Sequence, residues 1–220
     1  MARPHHLPPG HLLAVGLVAG VAAGAAATLL QAATVVPLIL QAEALEPHHA
    51  AQHSVAARGA ATWLFNTLAG IGFGLLLAAG YNLSRRAGPR TGLLWGLGGF
   101  VAFYLAPALG LPPSLPGTEL AGLGARQVWW LATAVATATG LTLLVFGSRL
   151  WMRGCGVALM ALPHLAGAPQ PDTVAAGPPQ DLMRAFAVWS AVGNALFWLV
   201  LGAVSGWLFQ RFSMASANRR

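Results

Sequence analysis

The sequence predicts an all-α fold, a polytopic integral membrane helical bundle with five to six membrane-spanning elements. Only 8% of the residues are charged and 56% are hydrophobic, whereas about a quarter of the residues of a typical soluble domain are charged. Several uncharged stretches also reach the roughly 20 residues that a helix needs to cross a bilayer. Because no segment has the composition of a soluble domain, residues 1–220 are expected to form a single membrane domain.

Six apolar segments follow one another along the chain. Five are long enough to cross a bilayer, whereas one is short and is interrupted by Pro163 and His164. The predicted spans cover about residues 12–35, 59–83, 91–111, 127–147 and 183–209, and the short element covers residues 154–168.

The basic residues predict how these elements are oriented. The chain has 12 arginines and no lysine, clustered at segment ends, so its net charge of +7 reflects membrane orientation rather than nucleic-acid binding. Arginine-rich loops are cytoplasmic, which requires residues 154–168 to count as a crossing element and gives six elements with both termini inside. The alternative has five spans and an external C-terminus. The arginines concerned are Arg85, Arg86, Arg90, Arg149, Arg153, Arg211, Arg219 and Arg220.

Local patterns suggest how the spans pack. Gly16, Gly20 and Gly24 share one helical face, which lets a second helix approach closely. Pro37 is expected to break or kink the first span near its outer end. The indoles of Trp129 and Trp130 are interpreted as structural anchors at the membrane interface. Five polar residues within the spans are interpreted as groups that hydrogen-bond neighbouring helices, and the alternative is that they line a transport pathway. The five are Gln31, Asn66, Thr133, Thr137 and Asn194.

The ionisable residues of the predicted outer face suggest metal chemistry. Carboxylate oxygen and neutral imidazole together suit borderline divalent ions such as cobalt, nickel and zinc. The alternatives are a solvated loop at the end of a span, a structural ion pair between Glu119 and Arg126, and a packing role for His164. The candidate metal ligands are Glu43, Glu46, His48, His49, His53, Glu119 and His164.

Catalytic motifs are missing from the sequence. It has no nucleophile elbow, phosphate loop or HExxH pair, and the single Cys155 excludes a multi-thiolate metal site within the chain. The chain is therefore not expected to be an enzyme or to hold a permanently bound cofactor.

Five phrases, in their order and spacing, carry a family resemblance over nearly the whole chain. They are PLILQAEALE at 37–46, GLLWGLGGFVAFYLAP at 92–107, LPPSLPGTE at 111–119, RQVWW at 126–130 and LPHLAGAPQP at 162–171. Together they resemble the bacterial CbtA family of predicted cobalt-transporter subunits. The resemblance implies a small inner-membrane protein, generally described with five spans, that acts in cobalt uptake linked to cobalamin biosynthesis. It also implies a small single-span, histidine-bearing partner subunit.

Two functional hypotheses follow. In the first, the chain is a transporter subunit that passes cobalt(II) or another divalent cation inward, with Glu43, Glu46 and the nearby histidines capturing it and Glu119 and His164 as later ligands. In the second, it is a non-transporting scaffold or accessory subunit whose glycine faces hold a partner span. Substitution of Glu43 or Glu119 lowers uptake under the first hypothesis only.

Overall fold

The computed structural model describes residues 7–45, 55–84, 88–171 and 177–217, and these residues are helical apart from short connections. The α3 helix continues through a π-helical turn into α4 as one element. The helices are α1 (Pro9–Glu43), α2 (Val55–Ser84), α3 (Pro89–Phe100), the π turn (Val101–Leu105), α4 (Ala106–Gly110), α5 (Leu123–Phe146), α6 (Leu150–Ala166) and α7 (Gln180–Ala217).

Five helical elements are long and apolar enough to cross a membrane. This finding confirms the predicted all-α, multi-span architecture. The α6 helix is not among them, because its 17 residues span only about 26 Å at 1.5 Å per residue. The five elements are Pro9–Glu43, Ala57–Ser84, Pro89–Gly110, Leu123–Phe146 and Gln180–Ser216.

The first helix is longer than predicted. It runs through Pro37 and ends only at Glu43, so the helix does not break at Pro37, and the alternative of a kink there stays a prediction. Its 35 residues correspond to about 52 Å, against a hydrocarbon thickness of about 30 Å. The extension places Glu43 in the last turn of a helix rather than in a loop.

The π turn lies directly before a proline. Pro107 has no N–H to donate, and its ring crowds the carbonyl four residues earlier in a regular helix. The backbone N–H of Ala106 instead reaches back five residues to the carbonyl of Val101, which widens this turn. The helix thereby continues past Pro107, which is fully buried, to Gly110.

The chain divides into two compact units, and each is described by itself. The first comprises the described residues of Met1–Thr34, Ala51–Leu97 and Val192–Arg220. The second comprises those of Val35–Ala50 and Gly98–Ala191. Three helical elements, α1, α3–α4 and α7, contribute residues to both units.

In the first unit, α1 and α2 run antiparallel in backbone contact. A Cβ on Gly16 would lie 2.6 Å from the side chain of Leu75, and one on Gly24 would lie 2.8 Å from the Cα of Thr67. A Cβ on Gly20 would overlap the backbone of Ile71. The predicted close approach is confirmed, but α2 of the same chain covers these glycines, whereas the scaffold hypothesis placed a partner span there.

A second glycine contact joins α3 and α7 in the same unit. A Cβ on Gly202 would lie 3.0 Å from the Cα of Gly96, and one on Gly206 would lie 2.8 Å from the Cα of Gly92. Because later residues of α3 meet earlier residues of α7, these helices are also antiparallel. The unit therefore contains two helix pairs, α1–α2 and α3–α7, each held by glycines spaced four residues apart.

The N-terminal end of α1 and the C-terminal end of α7 lie at the same end of the first unit. The rings of His11 and Phe212 are in edge contact, with centroids 5.0 Å apart. The backbone N–H of Leu7 donates a 2.9 Å hydrogen bond to Oδ1 of Asn82, in the last turn of α2. The ends of α1, α2 and α7 therefore meet there.

In the second unit, α5 and α6 form an antiparallel hairpin. Gly140 and Gly156 face each other, since a Cβ on Gly140 would lie 2.6 Å from the carbonyl oxygen of Gly156, and the reverse distance is 2.7 Å. Nearer the start of α5, Trp129 hydrogen-bonds the carbonyl of Pro163 in the last turn of α6. The α6 helix therefore runs back along most of the length of α5.

Candidate functional site

One buried apolar cluster in the second unit brings together three segments that are far apart in the sequence. We call it the Ala42 cluster, after Ala42 in α1, which packs with Leu115 of the α4–α5 connection and Phe186 of α7. These three residues are between 1% and 9% exposed. Five partly buried apolar residues pack against them: Val35, Leu38, Ile39, Leu182 and Met183.

A tight turn positions the middle segment of this cluster. The backbone N–H of Thr118 donates a 3.2 Å hydrogen bond to the carbonyl of Leu115. Gly117 has a φ of 80°, which is the conformation that the third residue of a type II turn requires, and Pro116 precedes it as such turns favour. Leu115, the first residue of the turn, is buried, whereas Glu119, the residue that follows the turn, is exposed.

Each described carboxylate lies close in sequence to a residue of the Ala42 cluster. Glu43 directly follows Ala42, is half-buried, and has a buried Oε2 atom. Glu119 follows the Leu115 turn, and neither Glu43 nor Glu119 is without a partner. Asp181 is exposed and directly precedes Leu182 of the cluster. Sequence reasoning missed Asp181, because the last span was predicted to begin only at residue 183 and the carboxylate lay in an uninterpreted connection.

The other candidate ligands are placed less completely. Glu46, His48, His49 and His53 lie outside the described residues. Within the described part of the chain, no group of three or more His, Cys, Asp and Glu side chains lies close enough to hold a metal ion. The predicted ligand set therefore stays a prediction, with Glu43 and Glu119 each close in sequence to a residue of one cluster.

His164 lies in a second group, which we call the Trp129 cluster and define as Gly110, Trp129, Pro163 and His164. The indole Nε1–H of Trp129 donates a 3.1 Å hydrogen bond to the carbonyl oxygen of Pro163. The indole and the half-buried imidazole of His164 meet edge to face, with ring centroids 5.8 Å apart and planes at 74°. A Cβ on Gly110 would overlap the Cη2 atom of this indole.

The two predicted interface tryptophans differ in structure. Trp129 donates its indole N–H to the protein itself. Trp130 is 37% exposed, and its ring centroid lies 6.4 Å from that of Phe103. The anchor role of both indoles stays a prediction, and Trp129 in addition joins α5 to α6.

Arg126 adds a positive charge in the first turns of α5. Its Nε atom is buried and has no hydrogen-bond partner among the described residues. The residue as a whole is half-buried.

The polar side chains within the spans mostly join helices or bond their own backbone. In the first unit, Nδ2 of Asn66 donates to Oγ1 of Thr28 at 3.0 Å and to Oε1 of Gln31 at 2.8 Å. In the second, Oγ1 of Thr133 donates a 2.8 Å bond to the carbonyl of Trp129. The contacts of Asn66 and Gln31 agree with the predicted interhelical role, whereas the bond of Thr133 lies within α5. The hydroxyl of Thr137 is buried without a hydrogen-bond partner in the described structure, and we have no physical account of it.

Comparison with known proteins gives one result. The family model described as "Probable cobalt transporter subunit (CbtA)" matches residues 10–210. No curated protein and no solved structure matches the chain. The match includes residues of both units and of every helix described above. The five long apolar helices support a multi-pass membrane protein. By this match over nearly its whole length, the chain belongs to the CbtA family of probable cobalt transporter subunits.

Proposed function

We propose that this chain is the membrane subunit of a divalent-metal uptake transporter in a bacterial inner membrane, with cobalt(II) as the transported substrate. Uptake would supply cobalamin biosynthesis, and a small single-span, histidine-bearing subunit would act beside the chain. Membership of a transporter-subunit family supports the transport role. The choice of metal rests on the family description and on the ligand chemistry of the predicted outer face.

The observation that carries this proposal is the Ala42 cluster. Packing of Ala42 against Leu115 fixes the end of α1 beside the turn that precedes Glu119. Glu43 directly follows Ala42, and Glu119 follows the turn at Leu115, although α2 and the α3–α4 element lie between the two carboxylates in sequence. A cation that approaches this end of the second unit meets carboxylates on fixed backbone.

The distribution of charge along the chain also supports cation capture. The 5 carboxylates all lie in segments that the proposed orientation places outside: Glu43, Glu46, Glu119, Asp172 and Asp181. The large arginine clusters lie in the segments that it places inside. Carboxylates concentrated on one face raise the local concentration of a divalent cation there.

Within this proposal, Glu43 and Glu46 together with His48, His49 and His53 capture the ion. Glu119 and His164 are later ligands along the path. Asp181 contributes charge rather than coordination, because it lies on an exposed helical start. The side chains of Asn66, Thr28 and Gln31 are committed to joining α1 and α2 and are not assigned to the path.

The test is accumulation of radioactive cobalt in a bacterial host without its own cobalt importers. The chain is expressed alone and with its partner subunit, as wild type and as Glu43→Gln and Glu119→Gln. Each change removes the negative charge but keeps side-chain size, so we expect about a tenfold or larger loss of uptake at low cobalt, the range that loss of a metal-binding interaction typically gives. Ser114→Ala, in the same connection as Glu119, is the matched control and should leave uptake unchanged. Wild-type accumulation in both carboxylate variants, at equal membrane abundance, would refute the transport path proposed here.

A further inference from the structure

We propose that Trp129 is a positioning residue for His164: it fixes the imidazole at the end of α6 through a hydrogen bond and a ring contact, and cobalt affinity depends on it through His164. This inference rests on the proposed function, in which His164 is a ligand on the metal path. It assigns a role to an aromatic residue that carries no ligand atom of its own.

The hydrogen bond fixes the helical turn that carries His164. The carbonyl of Pro163 accepts the indole N–H of Trp129 at 3.1 Å and also the backbone N–H of Gly167 at 3.1 Å. Pro163 itself has no N–H to bond the preceding turn, and α6 ends three residues later at Ala166, followed by Gly167, whose φ is 86°. The last turn of α6 is therefore short of its own backbone bonds, and Trp129 supplies an external one.

The ring contact restricts the orientation of the imidazole itself. The 5.8 Å edge-to-face arrangement of the two rings is a geometry that aromatic pairs prefer. Metal ligation by histidine depends on a fixed ring orientation, which outer partners usually provide by accepting the second N–H. At His164, an aromatic neighbour on α5 performs this orienting task by packing.

The indole is in turn held in place by the end of α4. Gly110 approaches so closely that a Cβ there would lie 2.7 Å from Cζ2 of Trp129 and 3.0 Å from the Cβ of Ala168. Any larger residue at position 110 would push the indole away from its present place. The end of α4, the start of α5 and the end of α6 therefore determine the imidazole position together.

The neighbouring tryptophan provides a matched control. Trp130 lies one position further along α5, is 37% exposed, and contacts Phe103 rather than the end of α6. A general need for an interfacial indole on α5 would affect both positions, whereas a role exercised through His164 affects only Trp129.

The experiment measures the concentration dependence of cobalt uptake by the chain expressed with its partner subunit. Trp129→Leu, which removes both the bond and the ring, should raise the KM about tenfold, in the range known for residues that orient metal ligands, with little change in the maximal rate. Trp129→Phe keeps an aromatic ring but loses the indole N–H, so its KM should lie between the KM of the wild type and that of Trp129→Leu. Trp130→Leu should leave the KM unchanged.

The decisive comparison uses His164→Ala and the double variant with Trp129→Leu. If Trp129 acts through His164, adding Trp129→Leu to His164→Ala raises the KM no further. Additive effects, or an equal effect from Trp130→Leu, would overturn the inference. A normal KM for His164→Ala with impaired uptake in Glu43→Gln would overturn it too; that result would remove His164 from the path but leave the proposed transport role intact. Normal uptake in the Glu43→Gln and Glu119→Gln variants would instead count against the proposed function.

If Trp129→Leu fails to reach the membrane, Gly110→Ala provides a second route. It keeps the side chains of Trp129, Pro163 and His164 but displaces the indole. The KM should therefore rise when His164 is present, and Gly110→Ala should raise it no further in a His164→Ala background. An unchanged KM in Gly110→Ala and Trp129→Phe would contradict the positioning role.

Discussion

The phenol of Tyr81 and the hydroxyl of Ser205 form a buried hydrogen bond of 3.0 Å between α2 and α7. Both residues are fully buried, and the phenol ring packs edge to face against Trp95 and Phe209, with centroids 5.7 and 5.6 Å away. The bond joins helices that belong to different glycine-linked pairs. Tyr81 is therefore one of the side chains through which the α1–α2 and α3–α7 pairs meet.

We expect Tyr81→Phe to lower stability only slightly. Ser205 keeps a 3.3 Å bond to the carbonyl of Gly202, so the change removes one hydrogen bond and costs about 1 kcal/mol or less. Tyr81→Ala also removes the ring and should cost roughly 3–5 kcal/mol. Thermal unfolding of the purified protein in detergent measures both. Tyr104→Phe, at a partly exposed phenol, is the control and should be as stable as the wild type. Equal losses of stability in Tyr81→Phe and Tyr81→Ala would show that the packing of the ring contributes nothing.

The glycine contacts lead to a second prediction. Gly20→Leu should prevent α1 from packing on α2, because even a Cβ at that position overlaps the backbone of Ile71. Backbone cannot move aside as the end of a flexible side chain can. Gly72→Leu, on an exposed face of α2 with no atom within 4 Å of a Cβ, is the matched control. Gly20→Leu should lower the abundance of the protein in the membrane and abolish its single elution peak in size-exclusion chromatography, whereas Gly72→Leu should keep both. Folded Gly20→Leu protein would show that the close contact between α1 and α2 is not needed.

The sequence predicted the positions of the helices better than the contacts between them. Length and hydropathy located all six apolar segments, because a span must be apolar along its whole length. The extension of α1 to Glu43 was missed, since Pro37 normally disfavours a helix interior and only tertiary packing of Leu38 and Ile39 in the Ala42 cluster shows what offsets it. The π turn before Pro107 could not be predicted, because every residue around it is apolar and the hydrophobic pattern does not change there.

The candidate site was predictable as residue types but not as geometry. Glu43 and Glu119 were selected because carboxylates are rare in this chain. The packing of Ala42 against Leu115, which links the segments that carry them, depends on a turn that buries Leu115, and no periodic pattern encodes that turn. Trp129 was interpreted as a membrane anchor because its contact with Pro163 joins residues 34 positions apart.

Membrane topology is the third prediction. Because the start of α1 and the end of α7 lie at the same end of the first unit, an even number of crossings is needed from α1 to α7, and we propose that α6 supplies the sixth. In a Cys155→Ser background, Gln170→Cys should react with a membrane-impermeant maleimide from outside the cell. Leu150→Cys, at the start of α6, should react only after permeabilisation. Reaction of both, or of neither, from outside would show that α6 does not cross; detergent-solubilised protein controls for intrinsic reactivity.

The last prediction concerns Asp181, the carboxylate that sequence reasoning overlooked. Its side chain is exposed at the start of α7 beside Leu182 of the Ala42 cluster, so it should attract a cation electrostatically without binding it directly. We expect Asp181→Asn to raise the KM for cobalt uptake about twofold at low ionic strength and to have no effect near 1 M salt, where the screening length falls to about 3 Å. Gln180→Ala, one residue earlier and uncharged, is the control and should be silent at both salt concentrations. If the KM of Asp181→Asn stays raised at high salt, Asp181 is instead a direct ligand, because screening by salt does not remove coordination at contact distance.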